Sequence, residues 1–181
     1  MAGENNIVLQ YALREIYLRE SHTKLGLDFD PTIGGNELTG EFRVLGGETE
    51  CRTQDAITPD GTKQMLRTCV FTTRFEFRYL RAGQLDPATK EPIVAAEITA
   101  DITTDYQCNT PDFPDEANLL KWGQSNVLLH AWPYWREFCH STLLRMRLPV
   151  TLIPLVGMLP QETPLPEKPG TTKRRSKKIA S

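Results

Sequence analysis

The residues best suited to chemistry in this chain are four cysteines, three histidines and a set of evenly spaced carboxylates. Cys139 stands beside His140, a pairing that would suit a thiol nucleophile and its base. On a helix, however, neighbouring residues point about 100° apart, so the two do not reach each other. They read as a core cysteine next to a polar-face histidine. Glu97, Asp101 and Asp105 could do acid–base work, but they fall on the polar positions of an alternating strand. A solvated face opposed by arginines is the simpler reading. His22, His130 and His140 make no H-E-x-x-H, and the cysteines make no paired C-x-x-C, so no zinc site is expected. There is no G-x-x-x-x-G-K-[ST] loop, and neither Gly34-Gly35 nor Gly46-Gly47 extends to G-x-G-x-x-G. The expectation is a protein that is not an enzyme and that needs no cofactor or metal.

The elements that would position these residues can be read from periodicity. From Cys69 to Tyr79 the odd positions are Cys, Phe, Thr, Phe, Phe and Tyr, while the even ones are Val, Thr, Arg, Glu and Arg. From Ala96 to Tyr106 the even positions are Ala, Ile, Ala, Ile, Thr and Tyr. Both are period-2 strand patterns with aromatic and β-branched enrichment. Gly83, Pro87 and Pro92 make the segment between them a loop joining antiparallel strands. Setting Phe77 against Ile98 also sets Phe75 against Ala100, Arg74 against Asp101 and Arg78 against Glu97. Charges then oppose charges on one face and apolar groups meet on the other, which favours this register.

The N-terminal elements are less distinct. Residues 7–20 fit a helix through Leu9, Leu13, Ile16 and Tyr17, or a strand through Ile7, Leu9, Tyr11 and Leu13. Pro31, Gly34, Gly35 and Gly40 make 21–40 a loop or an irregular strand, a short strand follows near 41–53, and Pro59-Asp60-Gly61 signals a turn. Pro111 and Pro114 suggest a crossover loop over 107–117. A short helix is expected from Asp115 to a break at Gly123, then a main helix from about Ser125 to Arg147, ended by Pro149. Leu128, Trp132, Trp135, Cys139, Thr142 and Met146 form one apolar stripe of that helix. Val127, Ala131, Tyr134, Phe138 and Leu143 form another. A helix covering only its own sheet needs one stripe, so the second implies a partner copy. Pro133 lies inside the helix, where it removes a hydrogen bond at a cost of about 3 kcal/mol unless accommodated.

The 181 residues fit one domain and a tail. Net charge is −2, but Pro160 to Ser181 holds six Lys or Arg against two Glu, and the rest holds fifteen against twenty-one. An acidic body thus carries a basic, Pro-rich tail, expected to be disordered. No run approaches the roughly 18 apolar residues that span a bilayer, and MAGENN is no signal-peptide start. Four cysteines separated by 18, 39 and 31 positions suggest buried reduced thiols. The location is read as the cytoplasm.

Residues 133–155, PYWREFCHSTLLRMRLPVTLIPL, resemble the SecB chaperone family. Pro133, Tyr134, Arg136, Glu137, Arg145 and Pro149 match its Pro-Tyr-x-Arg-Glu helix opening, the helix end and the Pro that follows. Asn126-Val127-Leu128 is similar to the helix lead-in, and Glu15-Ile16-Tyr17 to the first strand, which tips 7–20 toward strand. The resemblance covers about 7–158. It implies an α+β fold with a SecB-like four-stranded antiparallel sheet packed on a long helix, over residues 1–158, followed by a disordered basic tail over 159–181. It also implies a dimer of dimers that binds long unfolded segments without ATP. Pro160, Pro164, Pro166 and Pro169 stand where SecB proteins have a second helix, Met146 replaces a small residue, and the tail is basic, whereas the export chaperone is strongly acidic and ends in a tail that meets the SecA motor. These departures set the chain apart from docking to the SecA motor. They bring it closer to the SecB-like chaperones of toxin–antitoxin–chaperone systems, which also lack the last helix and whose client is a labile antitoxin.

A holdase needs exposed apolar surface. Candidate client contacts are Phe113, Leu119, Leu120 and Trp122 around the crossover loop, with Leu152 and Val156 after the helix; each could instead complete the core. Trp132, Tyr134, Trp135, Phe138 and Leu143 are assigned to core or oligomer interface. Three functions are consistent with this: an antitoxin-dedicated chaperone, a general export chaperone delivering to SecA and the Sec translocase, and a nucleic-acid-associated protein using its six basic residues among the last fourteen. The acidic body and the lack of an exposed aromatic–basic pattern argue against the last.

Overall fold

Long alternating segments give long strands. In the computed structural model, which describes residues 10–33 and 37–154, β1 spans Tyr11–Leu25, β2 Leu38–Ile57, β3 Lys63–Leu85, β4 Pro92–Cys108 and α1 Glu116–Arg145. The strands make one antiparallel sheet in the order β1-β4-β3-β2. The architecture is α+β, as the resemblance implies. The tail over 159–181 and Val156 lie outside the described residues.

The expected register holds. Phe77 pairs with Ile98, Phe75 with Ala100, Arg74 with Asp101 and Arg78 with Glu97. The N-terminal segment is strand rather than helix and runs unbroken to Leu25, since SHTKL contains no Gly or Pro. Residues 21–25 are therefore not loop. β2 is likewise longer than the 41–53 segment expected. The Pro59-Asp60-Gly61 turn forms with Gly61 at φ +84°, its N–H donating to the Thr58 carbonyl at 2.8 Å.

The crossing connection is 26–37, not 107–117, because β1 and β2 are consecutive in sequence yet lie at opposite edges of the sheet. It is tied down by the Gly26 N–H, which donates to the Ala95 carbonyl at 2.8 Å, and by Phe29, which enters the larger core cluster. Residues 109–115 merely lead from β4 to the helix.

The helix is one element. Asp115 caps it by accepting from the Asn118 N–H at 2.9 Å. Gly123 does not break it. A Cβ there would lie 2.7 Å from the Phe71 ring, so the glycine is needed for close approach of helix and sheet. Pro133 cannot donate to the Leu129 carbonyl, and the helix continues through it with Leu129 on its exposed side. At the C-terminus Arg147 adopts φ +56°. The Leu148 N–H then reaches the Leu143 carbonyl at 3.0 Å and the Arg147 N–H the Leu144 carbonyl at 3.1 Å, a Schellman ending made without glycine.

The two apolar stripes of the helix are one broad band. Val127, Ala131, Trp132, Trp135, Cys139, Thr142 and Leu143 are all buried against the sheet. Phe138 is half-buried, and Tyr134 is exposed with Leu129 and Leu144. Trp132, Trp135 and Leu143 are therefore core residues, and the inference of a partner copy now rests on the exposed three. Beyond the helix the chain folds back. Tyr79 donates to the Pro149 carbonyl at 2.6 Å and bonds Thr151, and Trp132 Nε1 donates to the Pro154 carbonyl at 2.8 Å. Leu148 and Ile153 are buried by this return. No helix among the described residues is long and apolar enough to cross a membrane.

Candidate functional site

The helix lies over the sheet in two clusters. The larger holds Phe75, Phe77, Ile98, Ile102, Trp135 and Leu143, with Phe75 stacked on Trp135 at 5.5 Å and 13°. The smaller, beneath the start of the helix, holds Tyr11, Cys69, Phe71, Tyr106, Cys108 and Trp122. Trp122 is central to it, 4.2 Å from the Tyr11 ring and 4.7 Å from that of Tyr106. Burial pushes the phenols of Tyr11 and Tyr106 up to about 12, so both stay neutral and act as fixed polar groups. Tyr106 shares a hydrogen bond with His130 Nδ1 at 2.8 Å.

Beside the smaller cluster the helix and β2 separate. The groove between them has a volume of about 350 Å³ and is lined by Val44, Thr49, Phe71, Leu120, Val127 and Leu128. Its β2 wall is a bulge between Val44 and Gly46, where Gly46 takes φ +112°. Gly47 follows so closely on β3 that a Cβ would lie 2.5 Å from the Thr72 carbonyl oxygen. The Gly46-Gly47 pair is thus what re-aims the strand and keeps the groove open. β2 is also an edge strand, so among the described residues its outer backbone groups have no neighbour in the sheet.

A second depression of about 480 Å³ lies between the helix and the returning chain, where Pro133, Arg136, Glu137 and His140 face Val150 and Leu152. A third, of about 360 Å³, is on the opposite face of the sheet. Within it Arg74 holds Asp101 through two hydrogen bonds of 2.7 and 2.6 Å, which keeps that carboxyl below its usual range. Arg14 reaches Asp105 at 3.0 Å, yet burial outweighs it and raises that carboxyl.

No protein-family model matches the chain, and no curated protein matches it by sequence. Among solved structures it matches the SecB-like chaperone Rv1957 of Mycobacterium tuberculosis, determined in complex with a ChAD peptide from the HigA1 antitoxin Rv1956. The match covers 82% of this chain and 91% of that one, with a TM-score of 0.55 and 16% identity. The fold is SecB-like. It agrees with the resemblance carried by Pro133, Tyr134, Arg136, Glu137, Arg145 and Pro149.

Within this SecB-like fold the six candidate contact residues separate. Leu119 and Trp122 are buried at 4% and 6% exposure and belong to the core, and Phe113 packs half-buried on the same cluster. Leu120 is 45% exposed and lines the groove beside β2. Leu152 is 84% exposed at the second depression, away from Leu120. Sequence reasoning missed Val44, Thr49 and Leu128. The signal for them was the Gly46-Gly47 pair, which reads as a bulge only once it is placed inside a strand. The spaced carboxylates lie on the open face, Cys139 is fully buried, and His140 is exposed.

Proposed function

We propose that this chain is an ATP-independent holdase for unfolded or aggregation-prone polypeptides, with a labile antitoxin as its dedicated client in a toxin–antitoxin–chaperone system. The observation that carries the reading is the apolar groove beside Leu120, set against the unpaired edge of a bulged strand in a SecB-like fold. An extended client can place apolar side chains along Val44, Leu120 and Leu128 while its backbone bonds the outer edge of β2, a mode that tolerates many sequences. Antitoxin as client is supported by the peptide held by the structural neighbour. In this reading the protein works as a dimer of dimers in the cytoplasm. Exposed Leu129, Tyr134 and Leu144 of the helix meet a second copy.

The test joins light-scattering mass to aggregation suppression of an unrelated unfolded protein in the absence of ATP. A mass near four protomers with suppression is expected. Leu120→Asp should weaken suppression several-fold at unchanged mass, since Leu120 is exposed in the protomer. A monomer without suppression sinks the reading. Capture of SecA in a pull-down would move the assignment to general export.

A further inference from the structure

Four cysteines were expected to be buried, but Cys51 is exposed. It stands directly opposite Cys69 across β2 and β3, and the two sulfurs lie 3.6 Å apart as free thiols. Directly opposed residues of an antiparallel pair have Cα atoms about 4.5 or 5.5 Å apart. Both values fall within the roughly 4.4–6.8 Å that a disulfide spans. Bonding therefore needs side-chain rotation alone, closing the sulfurs to about 2.05 Å. Cys108 is the competing partner. It sits diagonally, two residues beyond Tyr106, the β4 residue opposite Cys69. Its thiol also approaches that of Cys69, with less influence on it than Cys51 has, but diagonal neighbours are about 7–8 Å apart, beyond the roughly 4.4–6.8 Å that a disulfide spans.

The place of the pair in the sheet gives the bond a consequence. Pairing of β3 with β4 begins at Thr68 and Gln107. Residues 52–67 thus form a two-stranded ribbon that projects past the rest of the sheet, with Ile57 and Met65 exposed. A ribbon of two strands is marginal by itself. Cys51 and Cys69 pair at its root.

We infer that Cys51 and Cys69 are a reversible redox pair that closes a disulfide at the root of this ribbon when a low-molecular-weight disulfide reaches Cys51. Cys51, the exposed sulfur, attacks as thiolate. It bonds to one sulfur of the small disulfide RS–SR and displaces RS⁻. Cys69 then gives up its proton and attacks the Cys51 sulfur, forming the Cys51–Cys69 bond and breaking the mixed disulfide. The second R group leaves as thiolate. Two protein thiols are oxidised and one RS–SR is reduced to two RSH. Burial, with Cys51 next in effect, pushes the Cys69 thiol far up. The order of attack follows, and Cys69 stays inert until a mixed disulfide stands beside it.

The experiment treats the full chain with oxidised glutathione and maps disulfides by mass spectrometry without reduction. The expected product has lost two hydrogens, links the peptides holding Cys51 and Cys69, and returns to dithiol with dithiothreitol. Cys51→Ser abolishes it, and Cys108→Ser leaves it. Hydrogen exchange of residues 52–67 slows at least several-fold in the oxidised protein. A stable glutathione adduct on wild-type Cys51 without the internal link overturns the inference, as does a link that survives Cys51→Ser. Unchanged exchange across 52–67 overturns the role at the ribbon. Because Cys51 is exposed, its variant folds without core rearrangement, and the wild-type map decides if buried Cys69→Ser does not. The inference stands independently of the holdase reading.

Discussion

The two faces of the sheet are built from alternate residues of the same strands, yet they do different work. Under the helix, Phe75, Phe77, Ile98 and Ile102 are essentially sealed against Trp132, Trp135 and Leu143. On the open face, Arg74 holds Asp101, Thr72 meets Thr103 Oγ1 at 3.0 Å, and Glu76 sits between Arg43 and Arg78. Ion pairs at such a surface contribute little to stability, whereas sealed aromatic side chains dominate it. A one-residue slip of β3 against β4 would turn every Phe outward and every Arg inward. The covered face therefore supplies the free energy, and the open face makes wrong registers costly. Energy and specificity are separated on the two sides of one layer.

Truncation should expose that asymmetry most on the covered side. Trp135→Ala removes the ring stacked on Phe75 and should cost about 3–5 kcal/mol, read from the midpoint of urea unfolding. Trp135→Phe should cost much less, since it keeps a ring there and removes an indole N–H that is buried without a partner. If both variants cost the same, ring packing is not what holds this face. A smaller effect is expected at Gly123→Ala. Its new Cβ would meet the Phe71 ring at 2.7 Å. Overpacking of that kind costs about 1–3 kcal/mol, and it opposes the roughly 1 kcal/mol by which alanine favours a helix interior. A lowered midpoint is expected. A raised one would mean that Phe71 swings aside and that the smaller cluster is looser than the larger.

How legible each face was follows the same division. The covered face was read from alternation alone, because Phe77 and Ile98 fix a register that Arg74 and Asp101 confirm. The charge partners were read less well. Arg78 lies opposite Glu97, but its ion pairs are with Glu76 at 3.3 Å and Glu41 at 3.6 Å, reached along its own strand and across to β2. Side-chain length and sheet twist decide such choices, and neither is written in a pattern of period two. Glycines were the main source of error. Gly123 signals a break by propensity, yet packing against Phe71 overrides propensity. Gly46 and Gly47 were weighed only as phosphate-loop residues, although a strand bulge uses glycine for the same backbone freedom. Those two residues shape the groove, so the candidate site was less legible than the fold. Leu119 and Trp122 were singled out for being apolar near a loop, and that property does not separate surface from core. Leu120, one residue from Leu119, faces the groove because helix neighbours point about 100° apart.

The smallest effect, and the sharpest test of the division, is on the open face, where two aspartates of β4 differ in sign. The hydrogen bonds from Arg74, more than any other influence, lower the Asp101 carboxyl. A depressed folded-state value means stability that is present above the ordinary carboxylate range and lost as pH falls through the folded value. Asp105 is raised, first by burial, with Arg14 only partly offsetting it, and its Oδ1 is buried without a hydrogen-bond partner. For Asp105 the folded state favours the protonated form, so its contribution worsens as pH rises from the ordinary value through the raised one and stays unfavourable above it. Near neutral pH, Asp101→Asn should therefore lower the melting temperature by a small amount and Asp105→Asn should raise it slightly. Both differences should shrink as the pH is brought down to the carboxylate range, where the wild-type groups are themselves protonated. Thermal melts of both variants across pH 3 to 7 decide the point. If both substitutions destabilise equally at neutral pH, the open face is held by its charges as such, and its separation from the covered face fails. Opposite signs would show that Asp105 is kept at a cost, in a lattice whose value lies in excluding the slipped sheet.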